Sequence, residues 1–179
     1  MAVRPLARMG HPVLRSPAKA VENPRAPEIA ALVGDMLDTM RDAGGTGLAA
    51  PQIFEPLRVV IFEAPAIRGA DGPDETAALT VLINPQIEVI DMRQELGWEG
   101  CLSVPGLRGL VPRVLGIRYW GFDPDGKRIE RIARGFHARV VQHEVDHLDG
   151  VLDPQRMHDL SELVFESELA SLEAEEVSV

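Results

Sequence analysis

Two histidines four residues apart, His143 and His147, lie in the segment His143-Glu144-Val145-Asp146-His147, and a lone cysteine, Cys101, lies upstream. On a helix, residues i and i+4 stand one above the other on the same face, so both imidazoles can reach one metal ion. Glu144, beside the first histidine, is then placed as a general base. The pair is incomplete, because a catalytic centre of this kind takes three protein ligands and keeps a position open for water. The plainer explanation is a helix surface that happens to carry histidines at this spacing. Against it, Val140, Val141 and Leu148 flank the motif, and polar groups in so apolar a stretch cost free energy unless they are partnered. A metal supplies a partner.

Three candidates for the third ligand stand open on the residues alone. Asp153 completes His143-Glu144-x-x-His147-x-x-Gly150-x-x-Asp153, a spacing like that of metzincin proteases. Glu162 or Glu166 would serve in the manner of thermolysin-like proteases. Cys101, in Trp98-Glu99-Gly100-Cys101-Leu102-Ser103, follows a glycine and an acid in a segment expected to be extended. Backbone of that kind can approach a ligand closely, whereas a cysteine kept for packing is usually set among aliphatic neighbours.

The elements that must position these residues are those of an α+β domain with short, mostly antiparallel strands packed round the helix that carries His-Glu-x-x-His. That helix is expected over 136–148, with Phe136, Val140, Val141, Val145 and Leu148 on its apolar side and Gly150 as its stop. An earlier helix follows Pro24 and Pro27, where Ile29, Leu32, Val33, Met36, Leu37 and Met40 recur at three- and four-residue steps before Gly44 and Gly45. Strands are read at 57–62, 80–83 and 86–92, with a polar loop at 69–74. Residues 115–122 and 127–132 form a hairpin about Asp123-Pro124-Asp125-Gly126. A last helix is expected over 160–172. Residues 1–158 form the catalytic domain, and 159–179 an acidic C-terminal helix and tail of the same domain.

A chain of 179 residues fits one domain, and its net charge of -10 argues against a broad nucleic-acid footprint, which needs a basic face. One cysteine makes no internal disulfide and points to a reducing compartment. No apolar run approaches transmembrane length. Arg4, Arg8 and Arg15 without an early acid faintly resemble a transit peptide, but Pro5, Pro12 and Pro17 oppose an amphipathic helix there. The N-terminal segment is therefore read as part of a folded cytoplasmic domain.

A second island is Gly45-Thr46-Gly47-Leu48-Ala49-Ala50-Pro51-Gln52. Alone it reads as a helix-ending loop, and its glycines lack the spacing of a dinucleotide fingerprint. With the other two islands, the chain resembles the peptide deformylase family over residues 6–157. That family carries a Gly-x-Gly-φ-Ala-Ala-x-Gln loop (φ apolar), a Glu-Gly-Cys-φ-Ser strand and a His-Glu-x-x-His helix in this order. Met9-Gly10-His11-Pro12-Val13-Leu14-Arg15 and Leu110-Val111-Pro112-Arg113 add to the likeness.

The resemblance implies an enzyme that removes the formyl group from the N-terminal methionine of newly made polypeptides, releasing formate. It implies that Cys101, His143 and His147 hold one divalent metal, usually ferrous iron in the family, with zinc, nickel or cobalt able to take the same ligands. Glu144 would carry the proton, while the Gln52 side-chain amide and the Leu102 backbone N–H would meet the developing oxyanion. The substrate would lie as an added strand between the loop of Gly45, Thr46 and Gly47 and the Gly100 segment. Thr46 stands where the family usually has Ile or Val. Arg108 matches a family arginine near the methionine-side pocket, with an exposed salt bridge as the alternative. Trp98, where many members have glutamate, is read as a packing aromatic in preference to a wall of the site entrance. The implied partners are N-formyl-methionyl nascent peptides, with no membrane and no direct nucleic-acid site. Some members dock on the ribosome through a basic C-terminal helix. Here Asp159, Glu162, Glu166, Glu168, Glu173, Glu175 and Glu176 follow Arg156 with no Lys or Arg. Such a segment is repelled by RNA phosphate, so any ribosome contact is transient and takes another mode.

Overall fold

The computed structural model describes residues 2–66 and 74–171. Its elements are helix α1 (Pro27–Asp42), strands β1 (Gly47–Ala49), β2 (Val59–Ala64), β3 (Ala77–Glu99), β4 (Leu107–Phe122) and β5 (Arg128–Arg134), helix α2 (Gly135–Leu148) and strand β6 (Leu163–Phe165). The strands form one antiparallel sheet in the order β1-β2-β3-β4-β5, with β6 added beside β4. The expected α+β arrangement is present, the first two expected helices lie close to their expected ends, and the hairpin about 123–126 is present, although its first strand begins at Leu107 and not at 115.

Side-chain alternation along β2 ties the two helices to the sheet. Val60, Phe62 and Ala64 join Ala138, Val141, Val145 and Leu148 of α2 in one buried cluster. Val59 and Ile61 join Ile29, Leu32, Val33, Met36 and Met40 of α1 in another. Successive strand residues point to opposite faces, so one six-residue strand serves both cores. Each fully buried side chain of this size contributes roughly 1.5–3 kcal/mol. Together they fix α2, and therefore its histidines, against the centre of the sheet.

Both helices begin and end where their sequences direct. Pro27 occupies the first turn of α1, where a missing N–H costs nothing, and Glu28 there complements the helix dipole. Helix α2 stops before Gly150, whose φ is +76. A Cβ at Gly150 would stand 2.7 Å from the carbonyl carbon of Arg15. This close approach lets the N-terminal segment cross the end of α2, where Ala18 N–H donates to Leu148 O at 2.8 Å. Further upstream, Ala7 N–H donates to Gln52 O and Met9 N–H to Ser103 O, both at 2.8 Å. The arginine-bearing N-terminus is thus part of the fold, as expected.

Two expectations change. The strands expected at 80–83 and 86–92 belong to one strand of 23 residues, β3, so the sheet is built partly on long strands. Irregularities in its pairing with β4 fall between Ile83 and Gln86 and again between Val89 and Gln94; Asn84, with φ +53, marks the first. The helix expected over 160–172 is not what residues 160–168 form. Leu163–Phe165 is strand β6, paired Leu107↔Phe165, Arg108↔Val164 and Gly109↔Leu163, between single 3-10 turns at Leu160–Glu162 and Glu166–Glu168. Pairing satisfies the backbone groups at the start of β4, which a helix could not do. Of the loop expected at 69–74, only Asp74 lies among the described residues, and the acidic residues after 171 lie outside them. No helix of the described residues is long and apolar enough to cross a membrane.

Candidate metal centre

Helix α2 presents His143, Glu144 and His147 to the end of β3, where the chain leaves the sheet through Gly100 and Cys101. A tight turn follows, closed by Val104 N–H to Cys101 O at 2.9 Å. It brings the Cys101 thiol back to the helix, with Sγ 3.4 Å from Nε2 of His147. One ligand atom from each of Cys101, His143 and His147 lies within 4.8 Å of the others. The imidazole rings stand 4.9 Å apart and nearly perpendicular. Asp153, Glu162 and Glu166 are not in this cluster. Asp153 is buried elsewhere with Oδ1 unpartnered, and Glu166 bonds to Arg108. The metal-binding site is therefore Cys101, His143 and His147.

Whether these residues fit a cation is tested by the atoms around them. Nδ1 of His143 lies 2.9 Å from Glu99 Oε2, which orients the ring and leaves Nε2 as its ligand atom. Burial pushes the His143 pKa down, but hydrogen bonds to Cys101 and Glu99 outweigh this and lift it well above the usual imidazole value. The thiol and carboxylate thus favour positive charge at that place. Burial pushes His147 down as well, and there the charges of His143 and Arg113 add to it, so the ring is held well below the usual imidazole value and stays neutral, the form that ligates. A soft thiolate with two imidazoles accepts iron, zinc, nickel or cobalt. The site fits a divalent metal.

Glu144 is the fourth polar group of the centre. Burial raises its pKa to about 7, with the Glu99 charge adding to the rise and His143 and Arg113 opposing it. Its Oε2 is buried without a hydrogen-bond partner. On the other side the carboxylate touches β1 so closely that a Cβ on Gly47 would overlap Oε1. Gly47→Ala should therefore displace Glu144 while leaving the three ligands alone. We expect metal content to be retained and kcat/KM to fall about 10²-fold, the usual cost of moving a reacting group by an ångström. Unchanged kinetics in that variant would show that Glu144 is free to move without consequence.

Gln52 sits in the 3-10 turn Ala50–Ile53 that follows β1. Its Oε1 accepts from Ala49 N–H at 2.8 Å, which fixes the amide's orientation. Nε2 then donates towards Ser103 Oγ at 3.2 Å and lies 3.6 Å from Cys101 Sγ. Gly45, Thr46, Gly47, Gln52, Gly100, Leu102 and Arg108 all line one cleft of about 930 Å³, together with Cys101, His143 and Glu144. What the sequence suggested as a turn at 45–52 is a short strand followed by the 3-10 turn. Trp98, half-buried, also lines the cleft, a place beyond the packing role expected of it.

Sequence reasoning missed the residues behind the ligands. Glu99 receives two hydrogen bonds from Arg113, both at 2.9 Å, and a third from Arg139 at 2.9 Å. Arg113 also reaches Asp146 at 2.5 Å, and Arg156 holds the same carboxylate. Burial pushes Glu99 up, but its bonds to Arg113 and His143 prevail and hold it at about 2. Removing one partner from a buried network of this type costs roughly 3–5 kcal/mol, because the other charge is left uncompensated. The signal was present in Asp146, a second acid beside the histidines in a stretch flanked by Val140, Val141, Val145 and Leu148, whose partners are arginines and not the metal.

The family model described as polypeptide deformylase matches residues 3–162. Peptide deformylase 2 of Ralstonia nicotianae is 54% identical over 164 residues, covering 91% of this chain and 92% of that protein. Peptide deformylase 1 of Bordetella pertussis is 54% identical over 160 residues, 89% of this chain and 90% of that one. Among solved structures, the Met-Ala-Ser-bound class I type b peptide deformylase from Acinetobacter baumannii superposes with a TM-score of 0.78 at 37% identity, covering 87% of this chain and 98% of that one. The peptide deformylase from Thermotoga maritima gives a TM-score of 0.79 at 32% identity, covering 89% and 100%.

Proposed function

Since the chain belongs to the polypeptide deformylase family, we infer that Cys101, His143 and His147 hold a ferrous ion and that Glu144, Gln52 and Leu102 act with it on a formylated peptide. The protein is a metallohydrolase that removes the N-formyl group from newly made polypeptides. Bound there, the metal contributes Lewis acidity, acidifying water and polarising the formyl oxygen. Glu144 accepts a proton from the attacking water at its carboxylate and delivers it to the departing amine nitrogen. Negative charge develops on the formyl oxygen, and the Gln52 Nε2–H and the Leu102 backbone N–H donate to it. Because Gln52 is already oriented by Ala49, this donor needs no reorganisation as the charge forms.

Support for these roles comes above all from Glu144. It is a carboxylate raised to about 7 by burial, with one oxygen unpartnered, beside a cysteine and two histidines arranged for a cation. A base with a pKa near the working pH suits both halves of the proton transfer.

The substrate adds to the outer edge of β1, which among the described residues pairs only with β2 and so leaves an edge for another strand. Gly45, Thr46 and Gly47 lie on one side of it and Gly100 on the other, and the main-chain character of the contact accommodates Thr46. The reading places the enzyme in the cytoplasm, with N-formyl-methionyl nascent chains as its partners. Residues 1–158 form the catalytic domain, and 159–179 are assigned to the same domain, a reading supported by the pairing of β6 with β4. Residues 159–168 carry four acids and no base, so ribosome docking through a basic C-terminal helix is not carried over.

Purification without oxygen, followed by elemental analysis, tests the metal. Stoichiometric iron that tracks formate release supports the ferrous assignment. Zinc, nickel or cobalt carrying the full activity under those conditions would contradict it.

A further inference from the structure

Arg108 and Glu166 meet at the mouth of the cleft, and the chemistry derived above uses neither. Strand β6 lies on the start of β4 with Val164 opposite Arg108. Two residues after Val164, Glu166 N–H donates to Gly106 O at 2.9 Å, which pins Glu166 beside the cleft. Arg108 Nε and Nη2 both donate to Glu166 Oε1, at 3.1 and 2.5 Å. The guanidinium also lies over Gly100, so closely that a Cβ there would overlap Nη1. A cation is thereby set next to the backbone that leads into Cys101, and a carboxylate is set on top of it.

Both side chains remain in contact with solvent, 37% exposed for Arg108 and 56% for Glu166. An exposed pair of this kind is held weakly, and it can exchange partners with a carboxylate on a bound peptide. We propose that Glu166 is a specificity-determining residue, whose carboxylate cancels the Arg108 guanidinium and makes the cleft indifferent to acidic side chains in the two residues after the formyl-methionine. The inference rests on the deformylase reading and adds to it the charge preference of the cleft's outer end. With Glu166 neutralised, the same guanidinium becomes an open anion site.

The test compares kcat/KM for formyl-methionyl tripeptide amides carrying Asp or Asn, first at the second position and then at the third. Wild-type enzyme should show an Asp-to-Asn ratio of about one, the cation being compensated. Glu166→Gln should raise that ratio about fivefold at one of the two positions. The rise should appear in KM and decline as salt screens the exposed charges. Adding Arg108→Gln to Glu166→Gln should return the ratio to its wild-type value, as a double-mutant cycle requires of a coupled pair. Formate release with an unchanged ratio at both positions overturns the proposal. So does a loss of activity equal for Asp and Asn peptides, which is what a purely structural role of the pair would give. If no peptide yields formate, the catalytic reading fails and the inference falls with it.

Discussion

Cys101→Ala is expected to yield a folded protein without metal, whose formate release is at least about 10³-fold below wild type. A Lewis acid is worth several kcal/mol at the transition state, and each 1.36 kcal/mol is a factor of ten. The thiolate is one of only three ligands, and its Sγ stands 3.4 Å from Nε2 of His147. Removing it leaves two imidazoles on one helix, too few for a closed set. The fold should survive. Cys101 packs in a small cluster with Val104 and Leu152, apart from the two cores that hold the helices. Elemental analysis beside circular dichroism separates the outcomes. A variant that keeps stoichiometric metal would favour a protease-like centre in which Asp153 or a C-terminal glutamate is the third ligand.

Glu144→Gln is the complementary case, expected to keep the metal and lose catalysis. The amide preserves size but accepts no proton at neutral pH, and general acid–base catalysis is typically worth 10²–10⁴. We expect kcat to fall about 10³-fold with metal content unchanged. Burial disfavours the ionised carboxylate, as its rise to about 7 records, and its Oε2 makes no hydrogen bond that the substitution would break. The variant should therefore unfold at no lower temperature than wild type. Wild-type turnover in this variant would show that Glu144 is not the base.

The central helix was readable because its chemistry and its burial share one period. His143 and His147 at i and i+4, among Val140, Val141, Val145 and Leu148, define both the face and the site. The third ligand was not readable from spacing, since Asp153 follows the helix at an equally plausible interval. The three blocks together pointed to Cys101, and the turn at Cys101 accounts for it physically. Glu99, Arg113 and Asp146 escaped notice because Glu99 and Arg113 lie fourteen residues apart and Asp146 lies thirty-three beyond Arg113. Only the pairing of β3 with β4, and the packing of α2 on that sheet, brings them together. Such contacts leave no local periodicity.

The two misread elements have local causes. Pro85 and Gly97 interrupt the pattern of β3, and its middle is exposed, so alternation fades where the strand in fact continues. At 163–165 the strand is only three residues long and exists because β4 offers it an edge. Neither propensity nor pattern carries that information in so short a segment. The acids of the same region gave the right sign of charge, and one of them, Glu166, turns out to sit at the cleft.

Formate release from an N-formyl-methionyl peptide, before and after metal is stripped and restored under anaerobic conditions, tests the central claim most directly. The loaded protein should release formate, lose that activity on stripping and regain it with the divalent ion. Formate release that persists without metal, or none from the fully loaded protein, would contradict it.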